Sequence, residues 1–324
     1  MTFFDKNSNM ITEGPMYDLL SGRIGKPFAM SRAAPDPVSR AQIRHWLEAM
    51  GHEHTTYLTE GRAPRAMMPV FTNRALRETV AADDDLSGVT TAIAGLGLLP
   101  AGVAISHNYL ADIWVGDEIR ETTQLESVSL RKKTRLGAGY FITARTDYTN
   151  QHDSPLGFQR MTVFAYPSYD GAAPEQNASP VPVAPPPAPS EGEVLPPLAI
   201  AMNRLRIIAA CAACNDFGVG HYDPDVARQR GFEDIFTDIY TGVGLVHRFV
   251  TGWAGADAQV SKKTWTNYVN RTACDGKGTH RANGVICGGS QRIKILVEED
   301  GSLTNSRKGK RKQNGNFCYC ASVH

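Results

Sequence analysis

Cys214-Asn215-Asp216-Phe217-Gly218-Val219-Gly220-His221-Tyr222-Asp223-Pro224 lies between two apolar segments in the second half of this 324-residue chain. The residues before it, about 203–214, carry Leu205, Ile208, Ala209 and Ala212 on one side, a spacing that predicts a helix. After it, 225–230 reads as a short helical turn. Then 235–253 holds Ile235, Phe236, Ile239, Tyr240, Val243, Leu245, Val246, Phe249 and Val250. Apolar residues on more than one face predict a helix buried on most sides. The loop places a carboxylate and an imidazole five residues apart, with Gly218 and Gly220 available for turns that other residues resist. A carboxylate beside an imidazole can hold one water and share its proton, and histidine titrates near neutral pH. Asp216 capping a turn and His221 as a satisfied loop histidine are the structural alternatives.

Working outward, the clearest boundary is compositional. Pro174, Pro180, Pro182, Pro185, Pro186, Pro187, Pro189, Pro196 and Pro197 crowd the segment 171–197. Proline lacks an amide donor and has a fixed φ, so this segment is expected to be an extended spacer that joins no sheet. The first half is expected to begin with a helix: Ser39 precedes Gln42 by three, a capping-box pattern, and Ile43, Trp46, Leu47 and Met50 follow at helical spacing up to Gly51. Stretches 117–128, 140–149 and 160–166 read as strands, as do 262–268 and 292–297. Helix followed by strands, twice, places the chain in the α+β class. The expected division is 1–170, a linker over 171–197, 198–305, and a solvated basic tail over 306–324, where Arg307, Lys308, Lys310, Arg311 and Lys312 cluster.

Lys and Arg number 34 against 33 Asp and Glu. Such balance offers no broad attraction to nucleic acid or an anionic membrane. No stretch approaches the ~20 apolar residues of a membrane span, and the N-terminus lacks a signal-peptide pattern. A cytoplasmic protein is expected. Six cysteines, all beyond residue 210, do not make a secreted disulfide framework. Cys211 and Cys214 form a CxxC without a second pair at zinc spacing, so buried small residues are expected there. Gly242 and Gly244, inside the apolar helix, are read as close packing.

Asp216 through Ala227, D-F-G-V-G-H-Y-D-P-D-V-A, resembles the hydratase motif of the MaoC and R-specific enoyl-CoA hydratase family. Asp234-Ile235-Phe236, Ile239, Thr241, Gly244-Leu245-Val246 and Trp253-Ala254-Gly255 resemble the helix of steroid side-chain enoyl-CoA hydratase subunits. Ala34-Pro35-Asp36-Pro37-Val38, Ile43-Arg44-His45-Trp46, Glu48-Ala49-Met50-Gly51 and Gly116-Asp117 are similar to the partner subunit's MaoC-like domain. The resemblance implies two hot-dog domains, each an antiparallel sheet around a helix, forming a double hot-dog in one chain. It further implies hydration of a 2-enoyl-CoA, with a bulky or steroid side-chain acyl group. Asp216 and His221 would activate the water, and the backbone N–H of Ile239 would hold the thioester oxygen. Many relatives have glycine where this chain has Ile239, and proline where it has Val219. No metal or cofactor is expected. The expected partner is the acyl-CoA substrate, and a homodimer or a complex with other side-chain-degrading enzymes is compatible with the resemblance.

The first half lacks the dyad. Its matching loop runs Met50-Gly51-His52-Glu53-His54-Thr55-Thr56-Tyr57, with His52 at the Asp position and no His five further on. It is expected to be a non-catalytic partner. A second site using His52, Glu53 and His54 is the alternative, and a metal there lacks a third ligand. The rival to enzymatic activity is a non-catalytic acyl-CoA or ketide binding protein of the same fold.

Overall fold

Ser39 has extended backbone and its hydroxyl accepts the Gln42 amide at 3.2 Å, which starts a helix where the chain's spacing predicts one. Gly51, at φ 65°, ends it in the left-handed conformation that glycine adopts without strain. A computed structural model describes residues 3–4, 10–11, 14–26, 31–53, 55–73, 93, 98–134, 137–167, 194–229, 234–256, 260–266, 278–286, 292–300 and 315–323. The first half holds α1 (Gly14–Ser21), β1 (Arg32–Ala33), α2 (Arg40–Met50), α3 (Thr56–Glu60), β2 (Leu98–Tyr109), β3 (Arg120–Val128), β4 (Gly137–Thr149) and β5 (Pro155–Pro167). The second holds β6 (Val194–Met202), α4 (Arg204–Ala213), α5 (Pro224–Gln229), α6 (Ile239–Ala254), β7 (Val260–Thr266), β8 (Gly278–Ile286), β9 (Arg292–Asp300) and β10 (Gly315–Val323).

These strands form one antiparallel sheet in the order β6-β8-β9-β10-β7-β2-β5-β4-β3-β1. Numbered within its own half, each set of five follows the same spatial order, 1-3-4-5-2. The two second strands, β7 and β2, pair antiparallel from Lys262 with Asn108 to Thr266 with Ala104. Two copies of one topology are thus joined edge to edge, an arrangement that buries the edge each half would otherwise expose. The first helix after the first strand, α2 or α4, packs on its counterpart across the join.

The core beneath the join draws on both halves. Ile43, Trp46 and Met50 of α2 meet Val243, Val246 and Val250 of α6 in one cluster, with Ala210 and Cys214 beside them. Gly244 lets the helices approach: a Cβ there would stand 2.6 Å from Met50 Sδ and 2.8 Å from Trp46 Cζ2. The helix predicted over 235–253 begins at Ile239, because Asp238 caps it by accepting the Thr241 amide at 2.8 Å and the Thr241 hydroxyl.

Several expectations need correction. The apolar stripe expected on α4 is turned: Ile207, Ala210 and Cys211 are buried, while Leu205 is 76% exposed. The α4 helix meets α2 and α6 on the narrow Ala/Cys side, where backbones come close. The segment from 171 was expected to join no sheet, yet β6 includes Pro196 and Pro197. Its pairing with β8 skips from Leu195 to Leu198, and β6 lies at the sheet edge, where missing amide donors cost nothing. The tail expected over 306–324 ends in β10, which is hydrogen-bonded to β9 on one side and β7 on the other. The run Asn316-Phe317-Cys318-Tyr319-Cys320-Ala321-Ser322-Val323 has strand composition, and interior pairing satisfies both backbone edges. The basic cluster at 307–312 lies outside the described residues, as do 171–193 of the linker. Strands β2 and β8 were not anticipated.

Candidate active site

Helix α4 ends at Cys214, and Asn215 turns the chain with φ 53°. Asn215 Nδ2 donates to Val70 O at 3.2 Å, and Asn73 Nδ2 donates to Cys214 O at 2.9 Å. The loop is thereby tied to the first half. Asp216 N donates to Cys211 O at 2.9 Å, which ends the turn. The chain then crosses to a 3-10 turn over Val219–His221. Asp223 Oδ1 accepts the amides of Asp225 and Val226, which starts α5 immediately behind His221.

This path brings Asp216 and His221 together. His221 Nε2 stands 3.9 Å from Asp216 Oδ2. His221 Nδ1 lies 2.6 Å from the Phe236 carbonyl oxygen, which can only accept. Nδ1 therefore carries the hydrogen, and in the neutral ring Nε2 presents its lone pair toward the carboxylate. The gap is too long for a direct hydrogen bond and suits a water lying about 2.8 Å from each atom. Asp216 Oδ1 accepts the Gly218 amide at 3.0 Å, and the Tyr222 hydroxyl donates to the Asp216 carbonyl at 2.6 Å. His221 is buried and edge-on to the Phe236 ring, and the Asp216 side chain is 28% exposed.

Space is tight around Gly218. Its φ of −57° suits any residue. A Cβ would stand 3.1 Å from His221 Cδ2, 3.2 Å from Asp216 Oδ1 and 3.3 Å from His221 Nε2. The segment that holds His221 is itself anchored: Asp234 is buried and takes Arg204 Nε at 2.9 Å and Nη2 at 2.7 Å. Three residues beyond Phe236, Ile239 is the buried first residue of α6. Its amide belongs to the first turn, where N–H groups have no partner within the helix. Phe236, Tyr222 and Asp234 were not foreseen as site residues, since a carbonyl contact and a return hydrogen bond leave no mark in residue spacing.

Burial pushes the Cys211 and Cys214 thiols well up, and Asp238 and Asp216 add to the effect. Both are buried free thiols on the core face of α4, as small packing residues. Among the described residues no group of three or more His, Cys, Asp or Glu is placed to hold a metal. Residues 131–133 are exposed, with Lys132 and Lys133 in a short strand paired with β4.

In the first half, Gly51 occupies the left-handed turn that Asn215 makes in the second. His52 and Tyr57 then repeat the spacing of Asp216 and His221. Both reach α6: His52 Nε2 is 2.9 Å from Thr251 Oγ1, and the Tyr57 hydroxyl is 3.3 Å from His247 Nε2. The Thr251 hydroxyl donates to His247 O at 2.8 Å, so its oxygen accepts from His52. His52 and Tyr57 thus hold a helix of the other half. Glu53 is exposed, and His54 lies outside the described residues.

A cleft of about 750 Å³ has residues of both halves in its wall, Pro35, Arg40, His45, Phe71, Val115 and Asn215 among them. It reaches the residue that precedes Asp216. Among the described residues no helix is long and apolar enough to cross a membrane.

Residues 23–157 match the family model described as FAS1-like, dehydratase domain region. The chain is 32% identical over 209 residues to the "Probable enoyl-CoA hydratase alpha subunit" of Thermomonospora curvata, covering 60% of this chain and 65% of that protein. It is 42% identical over 69 residues to the "3-oxo-4,17-pregnadiene-20-carboxyl-CoA hydratase beta subunit" of Mycobacterium tuberculosis, covering 21% of this chain and 54% of that one. The chain therefore spans less than two thirds of the length of these curated relatives. Among solved structures, a "MaoC-like dehydratase" superposes over 94% of this chain and 99% of its own, with TM-score 0.65 and 15% identity. A Mycobacterium tuberculosis protein described as having a double hotdog fold covers 96% and 99%, with TM-score 0.59 and 14% identity. The shared architecture is thus the double hot-dog, as the sequence led us to expect.

Proposed function

We propose that this chain, whose two hot-dog halves resemble the fold of MaoC-like dehydratases, is a hydro-lyase that adds water to a 2-enoyl-CoA thioester. The reverse dehydration follows the same path. The observation that carries this is the His221 Nε2 to Asp216 Oδ2 gap of 3.9 Å, with Nδ1 tied to Phe236 O. A water in that gap has a carboxylate to accept one hydrogen and an imidazole lone pair to accept the other. Its oxygen bonds to Cβ as one proton passes to the dyad, and a proton from the dyad reaches Cα. Water is thereby added with no net change in charge. In between, negative charge gathers on the thioester oxygen. The Ile239 amide, at the start of a sixteen-residue helix, is our candidate donor to it.

The cleft beside Asn215 is the proposed seat of the CoA-bearing portion of the substrate, with Arg40 and His45 in its wall. For the acyl group we propose a bulky, steroid side-chain type, supported by the printed name of the beta subunit relative. That two relatives are subunits supports a larger assembly, a homodimer or a complex with other enzymes of the route.

The alternative is acyl-CoA or ketide binding without turnover. It is favoured by one observation: Ile239 places a buried branched side chain at the start of α6. The test follows the absorbance of conjugated enoyl thioesters, from crotonyl-CoA to a steroid side-chain enoyl-CoA, for the native protein and Asp216→Asn. Turnover that disappears in the variant is the expected result. Retention of acyl-CoA with no turnover by either protein would move the assignment to the binding role.

A further inference from the structure

We infer that Tyr222 is a positioning residue for the hydration step, acting through the backbone of Asp216. The inference rests on the proposed function. Asp216 is held at three points by its own neighbourhood. Its amide donates to Cys211 O at 2.9 Å, its Oδ1 accepts Gly218 N–H at 3.0 Å, and its carbonyl accepts the Tyr222 hydroxyl at 2.6 Å. The first two bonds run to Cys211 in the last turn of α4 and to Gly218 in the loop. The third comes from the residue directly after His221, so the two dyad members lie in a closed loop of seven residues, Asp216 through Tyr222, shut by one hydrogen bond. A shift of the Asp216 peptide would change the 3.9 Å gap in which the water must lie.

Tyr222 is itself fixed. Its ring stacks on Phe217, with centroids 5.6 Å apart and planes 9° from parallel. It also packs against the buried cluster of Met202, Ile207, Cys211 and Ile235. Burial pushes its phenol up, with Asp216 and Asp238 adding to the effect, so the hydroxyl stays a donor throughout the working pH range. A peptide carbonyl would keep such a donor in any fold, so the claim concerns the reaction. Loss of the hydroxyl should reduce the rate of the chemical step without weakening substrate binding.

The experiment is Tyr222→Phe, which retains the stack and the packing and removes one oxygen, assayed beside Asp216→Asn on the best enoyl-CoA substrate. A drop in kcat of about tenfold with KM within about twofold is expected, since sub-ångström misplacement of a reacting group costs on that scale. The melting temperature, measured in parallel, should fall by a few degrees at most, as for one lost hydrogen bond. An unchanged kcat, or a fall in kcat accounted for by unfolded protein, would overturn the role of Tyr222. So would a KM that rises as far as kcat falls. If Asp216→Asn keeps full turnover, the role of the Asp216–His221 pair fails and this inference with it, while no turnover by the native protein would end the hydratase assignment. If Asp216→Asn is inactive and Tyr222→Phe is normal, the assignment stands and only Tyr222 is excluded.

Discussion

Gly218→Ala should separate activity from stability in this protein. The backbone at 218, φ −57° and ψ 118°, is open to alanine, and removing a glycine from the unfolded chain stabilises by ~0.4–1 kcal/mol. Against that, the new methyl would meet His221 Cδ2 at 3.1 Å, Asp216 Oδ1 at 3.2 Å and His221 Nε2 at 3.3 Å. Contacts that tight oblige the neighbours to yield by a few tenths of an ångström. His221 has little room to do so, because Nδ1 is held by Phe236 O and the ring is buried. Asp216 is the more exposed partner and should move, widening the gap and crowding the proposed water. A loss of about tenfold in kcat corresponds to ~1.4 kcal/mol of barrier. The melting temperature should stay level or rise slightly as the two small stability effects offset. Enoyl-thioester absorbance and a thermal melt on the same sample suffice. A variant that turns over within twofold of the native rate would refute the claim that this glycine makes room for the dyad.

Asp238→Ala removes the cap of α6 and leaves the buried Thr241 hydroxyl without that partner, so a loss of about 1–2 kcal/mol is expected by denaturant titration. Gly244→Ala gains about 1 kcal/mol of helix propensity. It also drives a Cβ to 2.8 Å from Trp46, and overpacking of this kind costs about 1–3 kcal/mol, so a lower melting temperature should result. Cys211 and Cys214 should resist a thiol reagent at pH 8 and react once the chain is unfolded, since burial holds both thiols protonated. Unfolded thiols ionise near 8.5 and the folded ones do not, so the unfolded state gives up protons first and stability should decline as pH rises above that value.

Features that depend on local chemistry were legible in the order of residues. Ser39 and Gly51 bound α2 because capping acts within a turn. The five-residue spacing of Asp216 and His221, framed by apolar helices, was visible because the loop that joins them is short. Partial alternation over 117–128 and the β-branched and aromatic run over 140–149 pointed to the strands that form at Arg120–Val128 and Gly137–Thr149. Tertiary structure decided what depends on distant partners. Which side of α4 is buried was settled by α2 and α6, so Leu205 points to solvent and Ile207 does not. Pro196 and Pro197 could enter β6 because an edge strand leaves one row of amides unused. Residues 315–323 became an interior strand because β7 and β9 present complementary backbone edges, information that composition near a basic run does not carry. The tautomer of His221 arises from a contact 15 residues along the chain, and the conversion of His52 and Tyr57 into holds on α6 from contacts 199 and 190 residues away. Periodicity reports the face of an element; it has no access to the element that face will meet.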